Sequence, residues 1–245
     1  MANMKSIVSF FRERPYRNIF VTLMVVILID AVAPNAFARG RFSDLMLAVI
    51  LFGALVETVR SRHNGLWALV LGLPAIGARL LAAFREDTVT QNTTVLAFTA
   101  VFFWFLIWNL LHDLNQGNRR TSERIFGALC AYIFIGILFA LIFAHMQYRN
   151  PETFATSQDA IAGEVTGESD LMPIFTYYSF VTLTTLGYGD ITPIAEHART
   201  LAWFEALVGQ LYLAVMVAGF VAVHISERMA KKQGQPPPDD SGRGS

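Results

Sequence analysis

The stretch YSFVTLTTLGYGDIT, residues 178–192, sets two glycines, Gly187 and Gly189, on either side of Tyr188, directly behind a threonine-rich run. Glycine accepts backbone conformations that other residues avoid, so a strand holding two of them can turn several successive carbonyls to one side instead of alternating them. Carbonyls gathered from several copies of such a strand would replace the water shell of a cation, and the Thr185 hydroxyl would add a ring of oxygens below them. The chemistry on offer is ion coordination. Catalysis finds no support, since no paired carboxylates, no nucleophile beside a base and no metal-ligand spacing stand out, and the lone Cys130 permits no disulfide within the chain.

A strand of this kind needs elements that keep it out of lipid. The 245 residues are 54% hydrophobic, balance 19 basic against 19 acidic side chains, and collect their apolar residues into long uninterrupted runs. That is the pattern of a membrane protein, and the zero net charge argues against a nucleic-acid binder. Six runs approach the ~20 apolar residues needed to cross the hydrocarbon: 18–37, 43–60, 66–84, 93–111, 124–145 and 199–226. Pro15 suits the first turn of the first helix, and Pro74 is expected to bend the third. A signal-peptide reading of the first run, with its basic start and the small residues Ala36 and Ala38, is opposed by Asp30 inside the apolar core, so the run is read as a retained helix.

Charge orients the spans. With the N-terminus inside, the inner segments collect Lys5, Arg12, Arg14, Arg17, Arg60, Arg62, Arg119, Arg120, Arg124, Arg228, Lys231, Lys232 and Arg243, which is 13 of the 19 basic residues. The outer side receives five, Arg39, Arg41, Arg85, Arg149 and Arg199, and Arg79 falls within a span. The bias puts both termini in the cytoplasm. Between the fifth and sixth runs, an acidic loop is followed by a short helix over 172–185 that begins near Pro173, then by the glycine pair, with Pro193 marking the return outward. The helix is too short to span, so a segment that enters and returns here must be buried in protein or line a watery path. The carboxyl-terminal end of this helix would point its partial negative charge toward a cavity beneath the strand.

Thr184-Thr185-Leu186-Gly187-Tyr188-Gly189-Asp190 resembles the selectivity filter of the potassium channel family, and the surrounding order of helix, short helix, filter and helix looks like that family's pore module. The resemblance implies an all-α integral membrane protein with six transmembrane helices, and a re-entrant pore helix and filter between the fifth and sixth. It implies a four-helix membrane unit over 1–117 and a pore unit over 118–230, and the polar, proline-rich end of the chain reads as a disordered cytoplasmic tail over 231–245. It also implies a homotetramer in a plasma membrane of bacterial type, with potassium ions held by the carbonyls of Thr185, Leu186, Gly187 and Tyr188 and by the Thr185 hydroxyl. Tyr177, Tyr178, Thr182 and Thr184 would belong to the pore helix, with Tyr177 and Tyr178 forming an aromatic cuff around Tyr188, and Asp190 would anchor the outer turn. Leu186 stands where valine is usual, and Val181 stands where some members carry a buried carboxylate. Because residue 186 contributes a carbonyl, selectivity is expected to survive the first change, whereas the second bears on inactivation.

Around this centre, Glu152, Asp159, Glu164, Glu168 and Asp170 would give the mouth a negative potential. Glu205 would either brace the filter or bond loop backbone. Gly209, nineteen residues after Asp190, is a candidate gating hinge or a close-packing site, and Gly219 is a second. Val217, Val221 and Val223 are candidates for an apolar gate. Asp30 and Arg79 are expected to pair, and Glu57 to reach headgroups or Arg62. His112, His145, His197 and His224 are proton-sensor candidates or plain boundary residues. The fourth run carries no arginine or lysine, so no classical voltage sensor is expected. Rival readings are a secondary transporter and a non-conducting sensor or scaffold; membrane lipids are partners in each.

Overall fold

A computed structural model of the chain describes residues 15–32, 47–48, 50–53, 55, 65–82, 89–115, 121–156 and 168–233. Its elements are α1 (Pro15–Val32), α2 (Gly65–Ala82), α3 (Val89–Asn115), α4 (Thr121–Arg149), β1 (Phe154–Thr156), α5 (Glu168–Leu183), β2 (Ile191–Pro193) and α6 (Glu196–Gln233). The described parts of 47–55 are helical as well. Helix α1 opens on Pro15, whose fixed φ suits a first turn, and Pro74 lies inside α2. Among the described residues three helices are long and apolar enough to cross a membrane: α3 over Thr93–Asp113, α4 over Glu123–Arg149 and α6 over Glu196–Ala222. The apolar stretches of α1 and α2, Tyr16–Leu28 and Leu66–Leu81, are shorter than the six-span expectation required.

Helix α4 is the hub of the molecule, packing against α5, α3, α1 and α6. At its start Glu123 is buried, and its Oε2 accepts the Tyr16 backbone N–H at 3.0 Å, supplying one of the amide groups that a helix start leaves unpaired. The Tyr16 hydroxyl donates to Asp113 at the end of α3, and Cys130 Sγ donates to the Tyr16 carbonyl, so one residue ties α1 to both neighbours. Trp104 and Trp108 are exposed on α3 while Phe102 and Phe103 are fully buried, which divides that aromatic-rich helix into an outer and an inner face.

The far end of α4 is fastened to the start of α6. β1 and β2 pair antiparallel, with Phe154 opposite Pro193 and Thr156 opposite Ile191. The Thr153 carbonyl accepts from the N–H groups of Ile194 (2.9 Å) and Ala195 (3.2 Å). This short ribbon closes the loop that contains α5 and the glycine pair. Phe143 of α4, Phe154 of β1, and Phe175 and Tyr178 of α5 meet edge to face around it, at centroid separations of 4.9 to 6.1 Å. Such pairs contribute about 0.5–1.5 kcal/mol each beyond their buried area.

Helix α5 begins at Glu168, not near Pro173, and ends at Leu183, not Thr185. The proline lies early enough that it forfeits a single backbone bond near the helix start. The end comes early because Thr185 adopts φ 60°, which no right-handed helix can continue.

Candidate ion-coordinating site

Where α5 stops, the chain folds back on its last carbonyls. The Thr184 N–H donates to Phe180 O (3.1 Å), the Thr185 N–H to Thr182 O (2.9 Å), and the N–H groups of Leu186 (2.9 Å) and Gly187 (3.3 Å) both donate to Val181 O. Tyr132 of α4 donates its hydroxyl to Leu183 O at 3.3 Å. Every one of the four carbonyls that a helix end leaves without an internal donor is thereby supplied.

The same bonds set the direction of the strand. A trans peptide is planar with its C=O opposed to its N–H, so aiming the 186 and 187 N–H groups at α5 aims the carbonyls of Thr185 and Leu186 away from it. The φ angles are 60° at Thr185, 59° at Gly187 and 78° at Gly189, while Leu186 and Tyr188 stay outside the positive region. Alternation of this kind turns successive peptides the same way, which is what a row of oxygens on one side requires. Gly187 and Gly189 adopt it freely; Thr185, which is β-branched, pays about 1–3 kcal/mol for it. Residues 184–189 are all exposed on the single chain.

The outer side chains hold the strand from behind. The Tyr188 ring stacks on Tyr177 with centroids 6.4 Å apart and planes 10° from parallel. The Tyr177 hydroxyl donates to Asp190 Oδ2 at 2.6 Å. Position 181 offers no carboxylate to Asp190, and Tyr177 approaches Asp190 instead. Tyr178 does not join Tyr177 against Tyr188. It is buried in the aromatic cluster with Phe143 and Phe154, because neighbours on a helix project about 100° apart and only one of the pair can face the strand. Thr182 is half-buried beside Tyr178 on the same helix, and Thr184 returns its hydroxyl to Phe180 O at 2.6 Å.

Behind the strand, α6 supplies three residues. Glu205 is fully buried, and its Oε1 meets the Ser179 hydroxyl in α5 and not loop backbone. Ser179 Oγ also lies 2.7 Å from the Gly136 carbonyl of α4, so three helices meet at one hydroxyl. That hydroxyl has a single proton, and a protonated Glu205 lets both contacts form, donating to Ser179 while Ser179 donates to Gly136. Glu205→Gln preserves this donor and should retain the wild-type melting temperature. Glu205→Ala leaves Ser179 short of a partner and opens a cavity, lowering stability by about 1–3 kcal/mol in a detergent melt; equal melting of the alanine variant would refute the bracing role. Gly209 lies against the end of α5, where any added Cβ would overlap the Leu183 carbonyl oxygen. Gln210 donates from Nε2 to Thr185 Oγ1 at 2.9 Å.

Other expected residues lie apart from this cluster. Gly219 is exposed, with nothing near an added Cβ, and Val217 and Val221 are exposed on the same helix. Arg79 is buried on α2 and donates from Nε to Thr99 of α3 at 3.3 Å. Its expected partnership with Asp30 falls outside the described residues, as do the side chains of Asp170, Glu168, Val223 and His224, and residues Glu57, Asp159 and Glu164 altogether. Glu152, His112 and His197 are exposed, and His145 sits beside Thr93. Ser179, Tyr132 and Gln210 were not anticipated; the one signal was Gln210 itself, a lone amide inside an apolar run.

A family model described as "Ion channel" matches residues 158–225, which take in α5, the strand and most of α6. The chain is 33% identical over 117 residues to the voltage-gated potassium channel KCNC1 of Mus musculus, covering 46% of this chain and 22% of that one. It is 23% identical over 164 residues to the voltage-gated potassium channel regulatory subunit KCNF1 of Homo sapiens, covering 65% and 30%. The aligned part thus spans less than a third of either relative. With Protein LctB of Geobacillus stearothermophilus it shares 34% identity over 125 residues, 51% of this chain and 86% of that protein. No solved structure matches the chain significantly.

Proposed function

Because the chain is a membrane protein that belongs to the potassium channel family, we propose that it forms a potassium-selective pore through which ions pass passively. Four copies surround a central axis, each contributing the carbonyls of Thr185, Leu186, Gly187 and Tyr188 and the Thr185 hydroxyl. The observation that carries this reading is the alternation of positive φ at residues 185, 187 and 189, with the 186 and 187 N–H groups bonded back to Val181. A strand so held presents fixed oxygens whose spacing cannot follow an ion of another size. Its exposure on one chain, together with the largely exposed α6, supports assembly with further copies.

In this reading α5 and the strand re-enter the membrane between α4 and α6 within a pore unit over 118–230, and the chain crosses six times with both ends in the cytoplasm of a bacterial inner membrane. The sequence of α3, VTQNTTVLAFTAVFFWFLIWNLLHDLN, has no arginine or lysine, so the pore does not open through a classical voltage sensor. The test is recording from the purified full chain in planar bilayers with potassium on one side and sodium on the other. Unitary currents reversing near the potassium equilibrium potential are expected. Slow, saturable, coupled flux would mean a transporter, and silence under every condition would mean a scaffold; either would overturn the proposal.

A further inference from the structure

We propose that Gln210 determines cation specificity at the inner end of the strand, by holding the Thr185 hydroxyl so that its oxygen, and not its methyl group, faces the ion. The inference rests on the pore reading above and adds a residue to it. Gln210 follows Gly209, the point where α6 closes on the Leu183 carbonyl, and its Nε2 reaches Thr185 Oγ1 at 2.9 Å. Among the described residues this is the hydrogen bond that engages the amide, and it joins two exposed side chains from elements 25 residues apart in sequence.

Thr185 needs such a tether. Its φ of 60° is unusual for a β-branched residue, and rotation about χ1 exchanges a hydroxyl for a methyl of nearly the same size. Only the hydroxyl can coordinate a cation. A hydroxyl oxygen has two lone pairs and one proton. The amide N–H engages one lone pair and keeps the proton from that direction, which leaves the other lone pair for an ion. With the amide removed, threonine is free to turn its methyl inward. The fixed oxygen also cannot move in to meet a smaller cation, so its release should relax discrimination against sodium.

The experiment applies barium, a divalent cation close to potassium in size, to the full chain in bilayers from the side of the α6 C-terminus, alongside potassium and sodium reversal potentials. Gln210→Leu is expected to raise the barium inhibition constant about tenfold, the loss of one well-placed hydrogen bond, and to lower the potassium-to-sodium permeability ratio. Gln210→Asn, one methylene short of the bond, should act in the same direction. On a Thr185→Val background, where the oxygen is gone, Gln210→Leu should shift block by less than about twofold. Block within about twofold of wild type in Gln210→Leu, or an equal shift with and without the Thr185 hydroxyl, overturns the proposal. If the leucine variant fails to assemble, Gln210→Met keeps the side-chain length without the amide and is held to the same thresholds. A potassium-selective wild type with an unresponsive Gln210 series defeats this inference alone, whereas an unselective or silent wild type defeats the pore reading and this inference with it.

Discussion

Gly187→Ala is expected to abolish potassium selectivity. The residue sits at φ 59° with nothing within 4 Å of an added Cβ, so the penalty is conformational and not a clash. An L-residue in that region costs about 1–2 kcal/mol, and the proposed assembly would meet the cost in each copy around the axis. The strand's least expensive relief is to rotate the peptide at 187 and bring φ back below zero. That rotation breaks the bond from the Gly187 N–H to Val181 O and swings the Leu186 carbonyl out of the row. One oxygen per strand would then be missing from the shell that replaces water. Bi-ionic reversal potentials measure the effect: the variant's should collapse toward zero, and a potential still near that for potassium would contradict the role given to the alternation. Gly219→Ala is the control, since φ there is not positive and an added methyl meets nothing.

Gly209→Val is expected to prevent stable assembly. Any side chain at this position overlaps a backbone oxygen, Leu183 O, which cannot rotate away as a side chain would. Overpacking of a well-filled site costs about 1–3 kcal/mol, and separating α6 from α5 also pulls apart Glu205 from Ser179 and Gln210 from Thr185. Size-exclusion chromatography in detergent should show loss of the assembled species, and Gly209→Ala should give a smaller drop in melting temperature. A pure hinge role would act differently, changing the open fraction in recordings while leaving melting untouched. Wild-type melting of Gly209→Ala would therefore contradict the packing role.

Much of the architecture can be read from the chain because apolar runs and glycine-proline punctuation are local signals. The runs at 93–111, 124–145 and 199–226 each lie inside a long helix, and the interruption at 184–190 shows in its own residues. The Thr184–Asp190 motif pointed to the strand, and the positive φ at Gly187 and Gly189 is what glycine permits. What stayed hidden depends on pairs of residues far apart in sequence. Ser179 looks like any small polar helix residue until Glu205 and Gly136 are placed beside it. Tyr177 and Tyr178 are chemically equivalent neighbours, and only the phase of α5 decides which one meets Tyr188. The start of α5 at Glu168 was obscured by Pro173, which suits a first turn but here lies inside the helix at the cost of one backbone bond.

The most direct measurement is a density map of the full chain in lipid nanodiscs with potassium as the only monovalent cation. Four strands should surround one axis, with a line of density on that axis level with the carbonyls of Thr185 to Tyr188 and the Thr185 hydroxyl. Strands turned toward lipid, or enclosed within a single copy with no shared axis, would contradict the assignment of residues 185–188 to ion coordination.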